Sequence, residues 1–458
     1  MIGRIAKRAT TDKIPRMLYD MRWVAWVPIV LLAAASASAQ EAPPALEFSF
    51  SNPGARSTAL GGAFVALADD ATAAFANPAG LVQLLRPEVS LELRRREFST
   101  PYTEGGRASG APTGRGVDTV EGIRTAHSNE TTSGVSFLSF VYPMARWSLA
   151  LYRHQLADFS IATEINGLFG MTPAGGTRRY EDQRAITELD VVGTGLSAAY
   201  RVSDRLSFGL GFSYFSGTVE NRGATYAVDT YPAESWGRNS FLPENSWVAS
   251  EFSVADSDVG FNIGVLWKLT ESWRFGGVYR QGPRFDYELI NRAGPLHNAP
   301  EGTVLESVTD RAIAFPDVWG LGVAYRSPGG RLTVGFEWDL VEYSIIGESL
   351  ESHLLDTSLV AIDDANELHL GDEYVFLNRS PLIAVRGGVW RDTDHRFRYL
   401  GGDDPYDDAF SHAIYRQGED ILHVTMGVGI AFSVFQIDFG ADLSQTSDVF
   451  TLSAIYSF

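Results

Sequence analysis

The sequence predicts an all-β fold, a fourteen-stranded antiparallel transmembrane β-barrel with an N-terminal hatch, or plug. Three observations predict it. Period-two alternation of apolar and polar residues recurs from Val89 to the C-terminus, and the connections between these runs are alternately long and short. The chain then ends on an alternating apolar face, Phe450, Leu452, Ala454, Tyr456 and Phe458.

Composition narrows the choice only a little. Hydrophobic residues make up 45%, charged residues 20%, and mean hydropathy is −0.06. A soluble protein has such averages, and so does a barrel whose lipid-facing and lumen-facing residues cancel. The chain has no cysteine, which removes disulfides, thiolate nucleophiles and thiolate metal ligands together.

The N-terminus reads as an export signal. Arg4, Lys7, Arg8, Lys13, Arg16 and Arg22 precede the apolar run Trp23 to Ala35, which ends in Ala37-Ser38-Ala39. A bilayer-spanning helix needs about 20 apolar residues, so this shorter run with a small-x-small ending fits a signal peptide over 1–39. Translation starts at Met1, Met17 or Met21. Cleavage before Gln40 removes six of 37 basic and two of 56 acidic residues, leaving 31 and 54 and a net charge of −23. That balance argues against nucleic-acid partners, which want a basic face.

Residues 40–85 form the expected hatch, ahead of a barrel over 86–458. The hatch segment is rich in glycine and alanine. It contains Ser51 to Arg56, Ala59-Leu60-Gly61-Gly62-Ala63-Phe64, Ala68-Asp69-Asp70-Ala71 and Asn77-Pro78-Ala79-Gly80-Leu81. Asp69-Asp70 ahead of an alanine run suits a helix start, and Asn77-Pro78 suits the turn that ends it.

Alternation places fourteen strands at roughly 89–98, 134–142, 147–159, 186–201, 205–219, 251–268, 272–289, 311–326, 331–345, 366–377, 382–393, 421–432, 434–445 and 449–458. The long connections are 99–133, 160–185, 220–250, 290–310, 346–365 and 394–420, with tight turns between them. Tyr142, Trp147, Tyr200, Trp267, Trp273 and Tyr325 flank the tight turns, as an interfacial girdle requires. Strand parity turns Arg94, Arg274, Arg280, Glu337, Asp339, Arg386, Asp438 and Asp442 toward the lumen, where a salt-bridge network holding the hatch is the natural reading.

The hatch motifs, with fourteen strands after them, resemble the FadL family of outer-membrane long-chain fatty-acid and hydrocarbon transporters. Related PorV-type barrels, which serve protein secretion, share the Asn-Pro-Ala-Gly-Leu motif and stand as the alternative. The resemblance implies passive uptake of hydrophobic small molecules across the outer membrane, from a groove between loops 220–250 and 290–310. It implies an inner pocket beside the hatch and a sideways exit at a kinked third strand. Strand 147–159 contains no Pro or Gly to announce such a kink. Implied partners are hydrophobic small molecules, outer-membrane lipid and, through the strand ending at Phe458, the barrel-assembly machinery.

Candidate substrate-binding residues are Tyr231, Trp236, Phe241 and Trp247 in the outer groove, beside Tyr226, and Phe48, Phe50, Phe64 and Phe75 near the hatch. Asn77, Pro78 and Ala79 form the hatch motif, expected to fix a turn rather than touch substrate. No cofactor, metal site or enzymatic activity is expected. The eight histidines form no ligand-spaced pair, no serine sits in a G-x-S-x-G elbow, and the acidic run Asp403 to Asp408 lacks the spacing of a dedicated calcium loop.

Mass spectrometry of membrane-extracted protein should give a mature chain beginning at Gln40. A mass that still includes residues 23–39, or recovery from the soluble periplasm, would contradict the export reading.

Overall fold

The computed structural model describes Phe50, 52–112, 121–171, 176–226, Phe241, 246–293, 305–350, 359–402 and 418–458, with 35–36, 39–40, 411–412 and Tyr415. The signal-peptide reading and Phe48 therefore fall outside the described residues, apart from two short stretches.

A sheet edge inside a membrane would leave a row of backbone groups without partners, so a spanning sheet must close on itself. This one does. The first six wall strands are β1 (Glu88–Arg107), β2 (Gly122–Pro143), β3 (Trp147–Ile165), β4 (Asp182–Arg201), β5 (Leu206–Tyr226) and β6 (Ser246–Lys268). The seventh is β7 (Trp273–Arg280) resumed as β8 (Arg284–Ala293), and the eighth is β9 (Leu305–Ala314) resumed as β10 (Val318–Arg326). The remaining six are β11 (Leu332–Val341), β12 (Ala365–Phe376), β13 (Leu382–Asp392), β14 (Ile421–Ala431), β15 (Phe435–Leu443) and β16 (Ser447–Ser457). Antiparallel pairing of β16 with β1, from Ser447 opposite Phe98 to Ser457 opposite Glu88, closes the barrel at fourteen wall strands.

The alternating sets face outward together. Leu149, Leu151, Leu196, Leu210, Phe212 and Met426 are all exposed, whereas Ala150 and Tyr152 on the opposite face of β3 are buried. An exposed apolar belt around the whole wall is stable only against lipid. At the tight-turn end Trp147 meets Tyr200 with ring centres 4.5 Å apart and planes tilted by 44°, and Trp273 meets Tyr325 at 5.0 Å. The terminal Phe458 lies on this surface beside Phe140 and Tyr456.

Three expectations need correction. Strands at the long-loop end run well past their expected limits: β1 and β2 pair as far as Arg107 and Gly122, inside what alternation marked as loop 99–133. Beyond the lipid belt both faces of a strand meet polar surroundings. His127 to Ser133 is therefore polar throughout and shows no period. The second correction concerns 272–289 and 311–326, each of which is interrupted, at 281–283 and at 315–317. Pro283 and Pro316 stand in those interruptions, where no ladder hydrogen bond is asked of them. The ninth wall strand also stops at Val341, four residues short of expectation, and gives way to α-helix over Ser344–Leu350.

Residues 52–84 fill the lumen. They include two short helices, α1 (Ala55–Ala59) and α2 (Ala73–Ala76), and a 3-10 turn over Pro78–Gln83. None of these is long enough to be stable alone, so their shape depends on the wall around them.

Candidate functional site

The hatch lies against the wall backbone to backbone, and glycines make this possible. A Cβ on Gly209 of β5 would sit 2.2 Å from the Ala79 nitrogen. One on Gly264 of β6 would sit 2.1 Å from Asn77 Oδ1, and one on Gly371 of β12 would sit 2.1 Å from the Leu60 carbonyl oxygen. Real Cβ atoms do not approach so closely, so these lumen-facing positions require glycine.

Asn77 is the tightest point of this contact. Its backbone is extended (φ −155°, ψ 99°), as a residue before proline prefers. Oδ1 accepts from the Ala79 N–H at 3.1 Å, which starts the 3-10 turn. Nδ2 donates to the carbonyls of Val65 in the hatch, at 2.9 Å, and of Val265 in β6, at 3.2 Å. The side chain is fully buried, and every bond it makes is to backbone. Asn77 joins two hatch segments to the wall and presents nothing to a ligand.

Buried wall carboxylates take up the remaining hatch donors. Glu337 Oε2 accepts from the N–H groups of Phe64 (2.7 Å) and Val65 (2.6 Å), and Oε1 accepts from Asn52 Nδ2 at 3.1 Å. Glu92 accepts from Gly54 N–H at 2.5 Å and from Ser136 Oγ at 2.6 Å. An ion-pair chain then crosses from wall to hatch. Asp438 pairs with Arg386 at 2.7 Å, Arg386 with Glu373 at 2.7 Å, Glu373 with Arg56 at 2.9 Å, and Arg56 with Asp69 at 2.5 Å. Arg326 and Arg274 reach the same Asp69 at 3.3 and 3.9 Å. Burial pushes the Asp69 carboxyl up, but the guanidinium of Arg56, then those of Arg326 and Arg274, outweigh it and hold it below the usual carboxylate range. Asp70 goes the other way: its burial outweighs its partners and raises it. Arg56, Asp69, Glu373 and Arg386 also line a cavity of about 290 Å³ at the tight-turn mouth, so that end of the lumen is charged. The eight charges expected in the lumen all face it, and Arg274, Arg280 and Glu337 touch the hatch directly.

The wall itself is not continuous. β2 and β3 pair only from Phe137 opposite His154 to Pro143 opposite Ser148. Beyond that point β2 holds only β1, and β3 holds only β4. Two bulges coincide with the parting, at Ser136 against β1 and at Leu156 against β4. A bulge bends its strand without any proline or glycine, which is why 147–159 gave no sign of it. Thr132, Ser136, Gln155, Leu156 and Asp158 border the parting around a cavity of about 20 Å³ that also receives Arg94 and Arg96. Below it lie Phe137, Tyr152, Phe159 and Phe98, all buried, with Phe98 and Phe159 5.4 Å apart. The strands meet again where Ser128 Oγ accepts from Ala162 N–H at 2.9 Å.

Of the candidate substrate residues, Phe75 stands beneath this parting, its ring 4.2 Å from that of His154 and 6.0 Å from that of Tyr152. Phe50 lies against Tyr343 at 5.9 Å and borders a separate small cavity. Phe64 is buried under the Arg56 guanidinium. Phe241 packs at 5.1 Å against Tyr226 and 4.0 Å under Arg184. Tyr231 and Trp236, like the acidic run 403–408, lie outside the described residues, and Trp247 is described only as backbone of β6. The wall glycines and the parting of β2 from β3 were missed by sequence reasoning.

Comparison with known proteins accords with this geometry. A family model described as outer membrane protein transport protein (OMPP1/FadL/TodX) matches residues 30–374. The chain belongs to this family. It is a protein of the bacterial outer membrane, in a family of transport proteins rather than enzymes. It is 24% identical over 279 residues to the long-chain fatty acid transport protein of Escherichia coli K12, covering 56% of this chain and 57% of that one. The match to the Salmonella typhi counterpart is 26% identical over 274 residues, covering 56% of each. The chain thus spans about half the length of the curated relatives it matches. The fold is similar to a FadL homologue of Pseudomonas aeruginosa (TM-score 0.57, 15% identity, 86% of this chain and 96% of that one). It is similar also to the Ralstonia pickettii toluene transporter TbuX (TM-score 0.54, 16% identity, 90% and 99%).

Asn77→Ala removes the side-chain bonds to the Val65 and Val265 carbonyls and to the Ala79 N–H, at about 1–3 kcal/mol for each buried group left without a partner. The barrel should stay folded while the hatch loosens, seen as faster leakage of small polar solutes in a liposome-swelling assay. Leakage at the wild-type rate would show that the motif holds nothing.

Proposed function

We propose that this protein carries hydrophobic small molecules passively into the cell and releases them sideways into the bilayer through the parting between β2 and β3. The observation that carries the reading is the end of the β2–β3 ladder at Phe137 and His154, above a lumen that the hatch blocks. A solute entering from the long-loop end meets a hatch held on several sides by hydrogen bonds and by the Arg56–Glu373 clamp.

The apolar residues beneath the parting suit a long acyl chain, and a long-chain fatty acid is the proposed substrate. The buried rings of Phe75, Phe137, Phe159 and Phe98 supply an apolar floor. Arg96 borders the opening beside the Arg94–Glu92 pair, at 2.9 Å, and Asp158, and it is the guanidinium proposed to meet a carboxylate head group there. The outer groove and its aromatics Tyr231, Trp236, Phe241 and Trp247 are the proposed point of capture. A shuttle role in protein secretion is not favoured, since the relatives matched are transport proteins.

The absence of native cysteine makes the route testable. In Thr132→Cys/Asp158→Cys, a short thiol-cleavable bismaleimide-type linker should join the two borders. Fatty-acid uptake should fall with linking and return on cleavage. Binding, measured by calorimetry, should persist and strengthen by about 0.8 kcal/mol per added methylene until the site is full. Unchanged uptake in the linked protein would refute the side exit, and a flat chain-length series would refute the substrate class.

A further inference from the structure

Opposite the parting, on β11 and β12, the register places acids together. Asp339 lies directly across from Glu367, and Glu337 across from His369, all on the lumen side of two adjacent strands. Like charges directly opposite each other destabilise a sheet, and burial raises that cost because water no longer screens them. Glu337 is accounted for, as it clamps the Phe64 and Val65 N–H groups. The cations near the others are few. Arg280 approaches Asp339 only at 3.7 Å and spends a short hydrogen bond of 2.6 Å on Asn52.

His369 is placed as a ligand would be. It is 6% exposed, and its Nδ1 lies 2.7 Å from the Gly61 carbonyl oxygen, which fixes the proton on that nitrogen. Trp390 stacks on the ring at 5.2 Å. In the neutral ring the other nitrogen, Nε2, therefore points a lone pair away from the hatch. It reaches Glu367 Oε2 at 3.3 Å and Asp339 Oδ2 at 4.0 Å, yet is aligned for a hydrogen bond with neither. Asp339 Oδ1 is likewise buried without a hydrogen-bond partner. A backbone carbonyl on the far nitrogen is the usual support for a metal-bound histidine.

The spacing fits a cation. Ligands about 2.0–2.1 Å from a tetrahedral zinc ion stand roughly 3.3–3.4 Å from one another. The His369–Glu367 distance, 3.3 Å, already has that value, and Asp339, at 4.0 Å from His369, must move inward to reach it. The three candidate atoms all lie within 4.8 Å of one another. A cavity of about 50 Å³ bordered by Glu367 and His369 leaves room for water as a fourth ligand.

We propose that Asp339, Glu367 and His369 bind a divalent transition-metal cation of the zinc class. The cation offsets the facing carboxylates. Through the His369–Gly61 contact it also fastens the hatch to the wall. This gives a reason for Gly62, where a Cβ would come 2.8 Å from His369 Nδ1. The imidazole nitrogen selects against calcium and magnesium, which take oxygen ligands.

The test uses full-length barrel in detergent, stripped with chelator and titrated with Zn²⁺ by calorimetry and elemental analysis. Co²⁺ is used in parallel for its visible absorption. We expect one tight equivalent for wild type and for the remote control His127→Ala. Affinity should fall at least about tenfold in Glu367→Gln and His369→Gln. Glu367→Gln leaves the Gly61 contact intact, and Asp339→Asn provides a second variant if it fails to fold. The proposal is overturned by the absence of a stoichiometric equivalent, which would make His369 an imidazolium paired with its acids. It is overturned equally by undiminished binding in the variants, or by Ca²⁺ displacing Zn²⁺ at equal concentration.

Discussion

Every polar backbone group of the hatch must find a partner inside the barrel, because a segment with no long helix and no strand cannot satisfy itself. Much of the lumen is arranged around that constraint. Where the hatch carbonyl and N–H groups face the wall, the wall supplies Glu337, Glu92 and Asn262, the last donating to the Phe75 carbonyl at 3.0 Å. Where the two backbones touch, the wall supplies glycine. Asn77 does for the turn what the carboxylates do for the rest, and its three side-chain bonds all go to backbone.

This arrangement assigns different tasks to different arcs of the barrel. Most of the lumen face holds the hatch, from Ser197 of β4 through Gly209, Gly264, Gly371 and the Arg56–Glu373–Arg386–Asp438 chain to Glu92 of β1 and Ser139 of β2. β2 and β3 are released from each other beyond Phe137 and His154, and their bulges turn Ser136 and Leu156 toward the parting. A wall that is firmly plugged along its axis and unpaired at one side is mechanically consistent with lateral release. Buried ion pairs add little net stability, and the Arg56 chain matters more for fixing one position of the hatch.

The sequence shows the barrel clearly because lipid imposes a period of two on every strand that crosses it. Leu206 to Tyr214 and Val424 to Ile430 face outward as their alternation requires. The same parity turned Arg386, Glu337 and Asp438 inward. Parity says nothing of height along the strand, so Gly209 and Gly264 could not be told from other lumen glycines without knowing where the hatch crosses. Beyond the lipid belt the period vanishes, and the ends of β1 and β2 vanished with it. The parting at Leu156 comes from a bulge of ordinary residues. The group Asp339, Glu367 and His369 exists only through the register of two strands, which no spacing along the chain reveals.

The central claim is that substrate leaves through the wall while the hatch stays seated. Gly335 of β11 faces Ala63 of the hatch, and a Cβ there would stand 2.9 Å from the Ala63 carbonyl oxygen, a milder approach than at Gly209, Gly264 or Gly371, and 3.4 Å from the Ala63 Cβ, close to the roughly 3.5–4.5 Å that a disulfide spans. Ala63→Cys/Gly335→Cys, oxidised in a chain with no other cysteine, locks the hatch to the wall. Uptake of a labelled long-chain fatty acid by cells carrying the locked protein should continue at close to the rate of the reduced form. Loss of uptake on oxidation, with recovery on reduction, would mean that the hatch must move and that the route runs along the barrel axis.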